Sequence, residues 1–462
     1  MRDLSALIKA YDIRGVVPDQ WGTDLAREVG VAFVEVLKIR TTDGGAGQLV
    51  VGHDMRPTGP DLVSAFVDGV TSAGVNVVNI GLCSTDGLYF ASGRLNIPGA
   101  MFTASHNPAE YNGIKLCRAG AAPVGQDSGL AEIREMLESE SLPTYGGTPG
   151  MLTSQDMLAA YSEYLRELVP LEKSRPLKVV IDTGNGMGGF TVPAVLGNQI
   201  LSGLPLEITE MYFELDGTFP NHEANPIDPE NLRDLQKKVV EVGADIGLAF
   251  DGDADRCFVV DEKGGIVDPS TLTALIATRE LAKVPGATII HNLITSRAVP
   301  EIVLEQGGIP VRTRVGHSFI KATMAETGAI FGGEHSGHFY FRDFWKADSG
   351  MLAAMHALAA LGETTESTKL SDLLAPYLRY VTSGEINTTV SDAKAVIARI
   401  KETAITQGSL IDELDGLTVS GGGWWFNVRS SNTEPLLRLN VEAKDLENMA
   451  IVRDAILAMM VG

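Results

Sequence analysis

The chain of 462 residues is too long for one ordinary domain, and at about 150 residues per domain its length predicts three or four. Its apolar content of 44% is typical of a folded globular protein and argues against long disordered segments. The formal net charge of -22 disfavours binding to nucleic acid or to an anionic membrane, since both require a positively charged protein face. An anionic small molecule would therefore need Arg, Lys or metal concentrated locally.

The cysteines and the apolar stretches indicate the compartment. Cys83, Cys117 and Cys257 are too widely spaced for a disulfide framework or a CxxC metal pattern, so we expect small buried side chains in a reducing environment. The start of the sequence lacks the apolar core and cleavage site of a secretory signal, and no run of about 18 uncharged apolar residues occurs. These features predict a soluble cytoplasmic protein with no membrane contact.

A helix followed by an apolar strand and a polar loop recurs along the chain. Helical periodicity precedes an apolar stretch in three pairs, 23–38 with 47–54, 154–169 with 177–186, and 271–281 with 287–296. This pattern predicts three similar α/β domains. A different pattern follows, with a helix at 391–404, strands at 424–430 and 435–443, and a terminal helix. The last domain is therefore predicted to be smaller and of another kind.

The domain boundaries are predicted from polar segments rich in Gly or Thr, which lie at 143–154, 261–270 and 361–370. The predicted domains are 1–152, 153–262, 263–368 and 369–462.

The stretch "DGDADR", Asp251 to Arg256, places three carboxylates at alternate positions after an apolar run. A calcium EF-hand loop would need Gly where Arg256 stands, and a helix rather than the following strand-like residues. A tight loop between two buried strands that presents Asp251, Asp253 and Asp255 to magnesium fits the pattern better. The plain alternative is a solvated acidic turn.

The stretch "TASHNP", Thr103 to Pro108, follows the apolar run "IPGAMF". A serine at the end of a buried strand lies where open α/β sheets bind their ligands. Ser105 is therefore a candidate nucleophile or phosphate carrier, with His106 beside it. In isolation the same residues are equally typical of a turn or a helix N-cap.

Two further polar loops are candidates for ligand binding. The stretch "RSSNTEP" (Arg429 to Pro435), supported by Arg438, offers backbone amides, hydroxyls and guanidinium groups to a phosphate, although an ordinary hairpin turn explains it as well. In "GGEHSGH" (Gly332 to His338), Glu334 and Ser336 suit sugar hydroxyls. Zinc is a poorer interpretation, because the spacing is not HExxH and the sequence offers no evident third ligand.

Seven stretches occur in the order found in the alpha-D-phosphohexomutases, and the chain resembles that family from Tyr11 to Arg438. They are "YDIRG", "TASHNP", "YNGIK", "DGDADR", "VGHSFIK", "GEHSGH" and "RSSNTEP". The resemblance implies a heart-shaped α/β protein of four domains around a central cleft. Three of these domains would be similar mixed α/β domains, and the smaller C-terminal α+β domain would be TATA-box-binding-protein-like.

The resemblance also implies an activity, which is reversible phosphoryl transfer between O1 and O6 of a hexose phosphate. Ser105 would be a phosphoserine, and a hexose 1,6-bisphosphate would be both intermediate and activator. Magnesium would be held by Asp251, Asp253, Asp255 and the phosphate on Ser105. Lys115 and His338 would be the general acid and base.

Further roles follow from the same resemblance. Charge would be stabilised by Arg14, His106 and Arg256. Substrate would be bound by Tyr11, His317, Glu334, Ser336, Arg429, Ser431, Asn432, Thr433 and Arg438. The partner is thus a small sugar phosphate, and the chain would act as a monomer or homodimer.

The "GEHSGH" and "VGHSFIK" stretches resemble the phosphomannomutase/phosphoglucomutase branch. The phosphoglucosamine mutase branch usually has Gln after the glutamate and Asp in place of His317. Ile294 departs from the family, since relatives often have lysine there. Two interpretations from other classes stay open, namely a magnesium-dependent phosphatase with an aspartate nucleophile and a non-catalytic sugar-phosphate sensor.

Overall fold

The computed structural model describes residues 2–40, 47–430 and 436–461, apart from the side chains of residues 317 and 318. The chain divides into two units, one of Met1–Val267 and Ser336–Asp372 and another of Asp268–His335 and Leu373–Gly462. The boundaries given above for the four domains stay predictions.

The first sheet combines parallel strands with an antiparallel edge. Its strands are β1 Ile13–Val16, β2 Gln48–His53, β3 Asn76–Leu82, β4 Gly99–Phe102, β5 Tyr111–Arg118, β6 Ala122–Pro123 and β7 Leu152–Ser154. They run in the order β1-β5-β4-β2-β3-β7, with β6 beside β5. Strands β4, β2, β3 and β7 are parallel neighbours, and β5 is antiparallel to β4 and β1. The sheet is therefore mixed, as expected.

Four helices accompany this sheet, α1 Thr23–Val36, α2 Gly59–Ser72, α3 Thr85–Leu95 and α4 Leu130–Glu138. Leu25, Val29 and Phe33 lie four residues apart on α1 and are buried, so one stripe of the helix joins the core. The ring centroid of Phe33 lies 6.3 Å from that of Phe66 on α2. The helix predicted at 23–38 is thus confirmed.

The second sheet carries the acidic loop. Its strands are β8 Leu177–Asp182, β9 Leu206–Met211, β10 Ile246–Phe250, β11 Cys257–Asp261 and β12 Ile266–Val267, in the order β12-β11-β10-β8-β9. Its helices are α5 Leu158–Leu168, α6 Gly188–Val195 and α7 Arg233–Val242. Phe250 pairs with Cys257 across antiparallel β10 and β11, so the intervening residues form the tight loop between buried strands that we predicted.

Helix α5 begins four residues later than its hydrophobic pattern suggested. The reason is that β7, at the end of the segment predicted to be a linker, pairs in parallel with β3. The amide of Leu158 then donates to Asp156 at 2.9 Å, which marks the start of the helix.

A third α/β segment follows. It contains α8 Pro269–Lys283, β13 Thr288–Asn292, α9 Ala298–Glu305, β14 Ile309–Thr313, α10 His317–Thr327 and β15 Phe331–Gly333. Strand β13 is parallel to both β14 and β15. The chain then re-enters the first unit as an antiparallel pair, β16 Phe339–Phe341 and β17 Ala347–Asp348, and a helix, α11 Gly350–Gly362. A short helix, α12 Leu370–Leu374, follows.

The C-terminal domain is antiparallel throughout its sheet. It contains β18 Val381–Thr389, α13 Ala393–Thr406, β19 Leu410–Asp412, β20 Leu417–Gly421, β21 Trp424–Ser430, β22 Leu436–Ala443 and α14 Leu446–Val461. The strand order is β18-β22-β21-β20-β19, and Ile400 of α13 and Met449 of α14 pack on its core. The expected class, three mixed α/β domains and a smaller C-terminal domain, is confirmed.

Two sequence-based expectations about side chains and helices can be compared directly with the structure. Cys83, Cys117 and Cys257 are free and buried, as predicted. Among the described residues, every helix is too short or too polar to cross a lipid bilayer.

Asp86 ties three segments of the first unit together. This fully buried carboxylate of α3 accepts hydrogen bonds from Tyr161 Oη of α5 at 2.8 Å and from Ser349 Oγ, the N-cap of α11, at 2.6 Å. Ser84 Oγ, the N-cap of α3, also donates to it. Because buried hydroxyl groups without a partner are costly, Asp86 fixes the relative positions of these three helices.

His222 forms an ion pair with Asp182, the last residue of β8. His222 Nε2 lies 3.1 Å from the buried Oδ2 of Asp182, and His222 Nδ1 lies 2.8 Å from the Glu223 carbonyl. Burial acts to lower the pKa of His222, but the hydrogen bond and charge of Asp182 outweigh it and raise the pKa. The protonated imidazole therefore stabilises the fold.

We predict that Asp86→Ala lowers the thermal midpoint by about 4–8 °C, because it leaves buried hydroxyl donors unpaired. The matched control is Asp61→Ala, which removes an exposed acidic residue from the first turn of α2 and should change the midpoint by about 2 °C or less. Differential scanning fluorimetry measures both. Equal shifts in the two variants would contradict the role given to Asp86.

The His222 pair predicts a pH dependence. Its stabilisation is fully present below the unfolded histidine pKa of about 6.5 and is lost as the pH rises through the higher folded pKa. The difference in thermal midpoint between the wild type and His222→Gln should therefore be larger at about pH 6 than at about pH 9. A difference that is constant across this range would show that the charged pair contributes nothing.

Candidate active site

The acidic loop between β10 and β11 is buried. Asp251 and Asp253 are 0% exposed and Asp255 is 1% exposed, and Ala254 has a left-handed φ of 59° that turns the backbone sharply. Carboxylate oxygens from all three aspartates lie within 4.8 Å of one another. Burying three like charges so closely is unfavourable unless cations compensate them.

Two fixed cations supply part of that compensation. Lys115 Nζ on β5 donates to Asp253 Oδ2 at 2.7 Å and to Asp255 Oδ2 at 2.6 Å. Arg256 donates to Asp251 through Nε at 2.9 Å and Nη2 at 2.8 Å. Two positive charges face three carboxylates, so the cluster keeps a surplus of negative charge.

The pKa values follow this balance. Burial, reinforced by the neighbouring Asp255 and Asp253, raises the pKa of Asp251 to about 7 against the opposing charge of Arg256. Burial also acts to raise the pKa of Asp253, but the Lys115 ammonium outweighs it and lowers the pKa. Conversely, burial acts to lower the pKa of Lys115, and the two aspartates raise it well above its usual value.

Ser105 lies directly against this loop. It follows β4 and is 5% exposed, and its hydroxyl donates to Asp251 Oδ2 at 2.8 Å. Arg256 Nη2 donates to the same hydroxyl oxygen at 3.3 Å. The backbone of Ser105 has a φ of 50°, a left-handed conformation that is uncommon outside glycine, and its amide donates to Thr103 Oγ1 at 2.8 Å. Such strain at a polar residue is a mark of functional sites.

His106 lies in the loop between β4 and β5, residues 103–110, which we call the serine loop, and Arg14 lies beside this loop. His106 Nδ1 lies 3.3 Å from Ser105 Oγ and 2.5 Å from Arg256 Nη2, and burial, helped by Arg256, lowers its pKa well below the usual value. Arg14 Nη1 donates to the Ala104 carbonyl at 3.2 Å and to Asn107 Oδ1 at 2.5 Å. Both residues therefore lie beside Ser105, with His106 neutral.

His338 completes this group within the first unit. Its backbone forms an antiparallel bridge with Arg256, which brings the imidazole to the acidic loop. His338 Nδ1 lies 3.0 Å from Asp348 Oδ2 and 3.9 Å from Asp255 Oδ1. Burial acts to lower the pKa of His338, but Asp255 and Asp348 outweigh it and raise the pKa.

The acidic cluster could hold a divalent metal ion. Asp253 Oδ1 and Asp255 Oδ1 are buried and lack a hydrogen-bond partner among the described residues. An all-oxygen donor set with surplus negative charge suits a hard cation of the magnesium or calcium type.

The second unit contains Glu334, Arg429 and Arg438 of the predicted site residues. Glu334 is 2% exposed, and its Oε1 accepts hydrogen bonds from the Gly316 amide at 3.2 Å and from Asn292 Nδ2 at 3.4 Å. Arg429 on β21 and Arg438 on β22 are cross-strand neighbours. Glu385 on β18 accepts from Arg429 Nη2 at 2.5 Å and from Arg438 Nη1 at 3.1 Å. These two guanidinium groups thus form one cationic patch.

The remaining residues that the sequence predicted to bind substrate are Tyr11, Ser336, His317, Ser431, Asn432 and Thr433, and their roles stay predictions. Tyr11 is half-buried and next to Asp12, and Ser336 is half-buried between β15 and β16. The side chain of His317, together with Ser431, Asn432 and Thr433, lies outside the described residues.

Three residues of the site were not anticipated from the sequence. Thr85 donates to Asp253 Oδ2 at 2.5 Å, Asp348 orients His338, and Arg56 binds the carbonyls of the Ser105 loop. Thr85 is the first residue of α3, Asp348 precedes α11, and Arg56 follows the strand "LVVGH". These positions carried a weak signal, since polar residues at the ends of buried elements often line a site.

The first unit thus brings together the hydroxyl of Ser105, whose backbone is strained, an acidic cluster that could hold a metal ion, and several cations. Catalysis of phosphoryl transfer depends on positioning and on stabilising charge, which this arrangement supplies. The fold and the site define a phosphoryl-transfer enzyme.

Comparison with known proteins identifies its family. Models of the phosphoglucomutase/phosphomannomutase family match in all four parts, alpha/beta/alpha domain I at residues 5–143, domain II at 159–265, domain III at 268–380 and the C-terminal domain at 385–459. The chain belongs to this family.

Individual relatives agree over nearly the whole length. Phosphohexose mutases of Xanthomonas campestris pv. campestris are 42% identical over 438 residues, covering 94% of both chains. A phosphomannomutase of Vibrio cholerae is 38% identical over 458 residues, covering 99% of this chain and 97% of its own. A crystal structure of a phosphoglucomutase/phosphomannomutase family protein from Burkholderia thailandensis superposes with a TM-score of 0.87 at 33% identity, covering 99% and 97% of the two chains.

Proposed function

We propose that this protein interconverts the 1-phosphates and 6-phosphates of mannose, and also of glucose, through phosphoserine 105 and a hexose 1,6-bisphosphate. The observation that carries the proposal is the contact of Ser105 Oγ with both Asp251 and Arg256, at 2.8 and 3.3 Å. An acidic group and a basic group that both contact one hydroxyl suit an oxygen that gains and loses a phosphoryl group.

In the first half-reaction, the sugar hydroxyl oxygen would bond to the phosphorus on Ser105 while the bond from phosphorus to Ser105 Oγ breaks. The proton of the sugar hydroxyl passes to a base, and Ser105 Oγ gains a proton. After the bisphosphate has reversed its orientation, its other phosphoryl group returns to Ser105 by the same bond changes. Atoms and charges therefore balance over one turnover.

Lys115 and His338 are the groups we assign to proton transfer. Lys115 is held in its charged form by Asp253 and Asp255, and His338 is oriented by Asp348 at 3.0 Å. Arg256, with Arg14 and the neutral His106, would stabilise charge on the transferring group.

We infer that the metal is Mg²⁺ and that Asp251, Asp253, Asp255 and the phosphate on Ser105 would hold it. The buried Oδ1 atoms of Asp253 and Asp255, which lack a hydrogen-bond partner among the described residues, support this choice. When bound, Mg²⁺ supplies positive charge that neutralises the transferring phosphoryl group.

The remaining predicted residues would bind substrate. Glu334 and Ser336 would contact the sugar hydroxyls, and the Arg429 and Arg438 pair would bind the phosphate that is not reacting. The assignment extends to Tyr11, His317, Ser431, Asn432 and Thr433. Hexose 1,6-bisphosphate would also be the activator that phosphorylates Ser105.

We further propose a monomer or homodimer in the cytoplasm. The free, buried Cys83, Cys117 and Cys257 support a reducing compartment, since oxidising compartments favour disulfides.

Metal binding predicts a stability change. Saturating Mg²⁺ should raise the thermal midpoint of the wild type by about 2–5 °C, because a ligand that binds only the folded state stabilises it. Asp253→Asn should abolish this shift, whereas Asp61→Asn on the surface should keep it. Scanning fluorimetry with and without EDTA measures the shift, and an unchanged shift in Asp253→Asn would reject the proposed ligands.

The Ser105→Ala variant tests the reaction itself. With Mg²⁺ and a trace of hexose bisphosphate, the wild type should convert mannose and glucose 1-phosphates in a coupled assay, and the variant should lose at least about 10³-fold in kcat.

The alternatives give different results in the same assay. Faster conversion of glucosamine 1-phosphate than of the other two sugars would indicate a phosphoglucosamine mutase. Phosphate release that survives Ser105→Ala would indicate a phosphatase, and binding without turnover would indicate a sensor.

A further inference from the structure

Arg56 lies beneath the serine loop with its side chain fully buried. Its Nη1 donates to the carbonyls of Pro108 at 2.7 Å and Tyr111 at 2.8 Å, and its Nη2 donates to those of Ser105 at 2.9 Å and Asn107 at 2.6 Å. One guanidinium group therefore binds three carbonyls of the serine loop and the carbonyl of Tyr111, the first residue of β5. None of these bonds reaches Ser105 Oγ.

Arg56 adds to two backbone hydrogen bonds of the serine loop, from the Asn107 amide to the Ala104 carbonyl at 3.0 Å and from the Tyr111 amide to the Pro108 carbonyl at 3.1 Å. Ser105 holds a left-handed φ of 50°, which an L-residue adopts only when its surroundings enforce it. Buried carbonyls that leave a strand also need partners to replace water. The planar fork of an arginine, with donors in fixed directions, satisfies several carbonyls at once.

The Ser105 carbonyl, which accepts a hydrogen bond from Arg56, also contacts the acidic loop between β10 and β11. A Cβ added to Gly252 would lie 2.3 Å from the Ser105 carbonyl oxygen, so the backbone at Gly252 approaches that oxygen as closely as only glycine allows. Arg56 donates a hydrogen bond to the Ser105 carbonyl oxygen, and the backbone of Gly252 packs against the same oxygen. The position of Ser105 relative to Asp251 and Asp253 therefore depends on where Arg56 holds the loop.

Arg56 is itself fixed. Its amide donates to Asp54 Oδ1 at 3.0 Å, its Nε lies 3.4 Å from Asp54 Oδ2, and its guanidinium carbon lies 5.3 Å from the centroid of the Phe219 ring. A buried arginine with a carboxylate and an aromatic ring around it has little freedom to move.

We propose that Arg56 is a positioning residue for phosphoryl transfer at Ser105. It holds the left-handed backbone of the serine loop so that Ser105 Oγ stays in line with the acidic loop in both half-reactions. This inference rests on the proposed function, since it assigns Arg56 a part in that reaction.

The test compares Arg56→Lys with a matched variant, Arg166→Lys. Arg166 is another buried arginine of the first unit, and it donates to the carbonyls of Val195, Gly197 and Ser202 at 2.7, 2.9 and 2.6 Å, at the end of α6. Both variants keep the positive charge and lose the planar fork beneath a loop. Only Arg56 supports the loop that contains Ser105.

We expect Arg56→Lys to lower kcat by about 10–100-fold with KM changed by less than about threefold, because the substrate-binding groups stay in place while the nucleophile shifts. Amide hydrogen exchange of residues 104–111 should become faster in this variant. Arg166→Lys should keep the wild-type kcat and the wild-type exchange of residues 104–111.

The outcomes that would reject the positioning role of Arg56 differ from those that would reject the proposed function. A wild-type kcat in folded Arg56→Lys, an equal loss in Arg166→Lys, or a raised KM at unchanged kcat would each reject the positioning role. A wild-type protein without mutase activity would instead reject the proposed function, and unchanged hydrogen exchange in Arg56→Lys would still reject the support of the loop by Arg56.

A second variant covers the case in which Arg56→Lys does not fold. Asp54→Asn weakens the partner of Arg56 but leaves the guanidinium group, so kcat should fall by about 3–10-fold with faster exchange of residues 104–111. Unchanged kcat and exchange in Asp54→Asn would count against the inference.

Discussion

The crowding of three buried carboxylates in the loop between β10 and β11 is the constraint on which the first unit depends. Asp251, Asp253 and Asp255 cannot all stay ionised in a dry interior without nearby positive charge. Lys115 comes from the first sheet, and Arg256 comes from the loop itself. The first two sheets are therefore joined at the site by charge pairing.

The topology explains why the serine meets the acidic loop. Ser105 follows β4 and the aspartates follow β10, and both strands are parallel to a neighbour within their sheets, with the loops leaving at the carboxyl ends. Ligand sites of open α/β sheets lie at those ends. Left-handed backbone at Ser105 and Ala254 then aims the hydroxyl and the carboxylates toward each other. The residues with left-handed backbone, Ser105 and Ala254, therefore lie in the same loops as the hydroxyl and carboxylate groups of the site.

Sequence alone predicted the groups whose chemistry is carried by a short local pattern. The acidic loop could be recognised because three aspartates and two flanking strands fall within sixteen residues, Ile246 to Asp261. The roles of Lys115 and His338 came from family resemblance, since a single lysine or histidine has no distinctive spacing.

Arg56 could not be predicted in the same way. Its partners lie 49 to 55 residues away in the sequence, and they are backbone carbonyls, which leave no trace in residue types. Strand β7 was missed for a related reason, because its pairing with β3 depends on a distant edge rather than on its own exposed residues. Contacts made by tertiary structure to the backbone are thus the part of the site that sequence patterns omit.

The cations proposed to stabilise or bind phosphate are each paired with a carboxylate, for example Arg14 with Asp12, Arg256 with Asp251, and Arg429 with Glu385. Such pairing orients each cation, and it lowers the net gain when a phosphate replaces the carboxylate. A bisphosphate that must reverse its orientation within one turnover cannot be held too firmly, because tight ground-state binding slows the chemical step. The large negative charge of this chain is therefore compatible with an anionic substrate, since the paired carboxylates moderate the affinity of the cations that bind it.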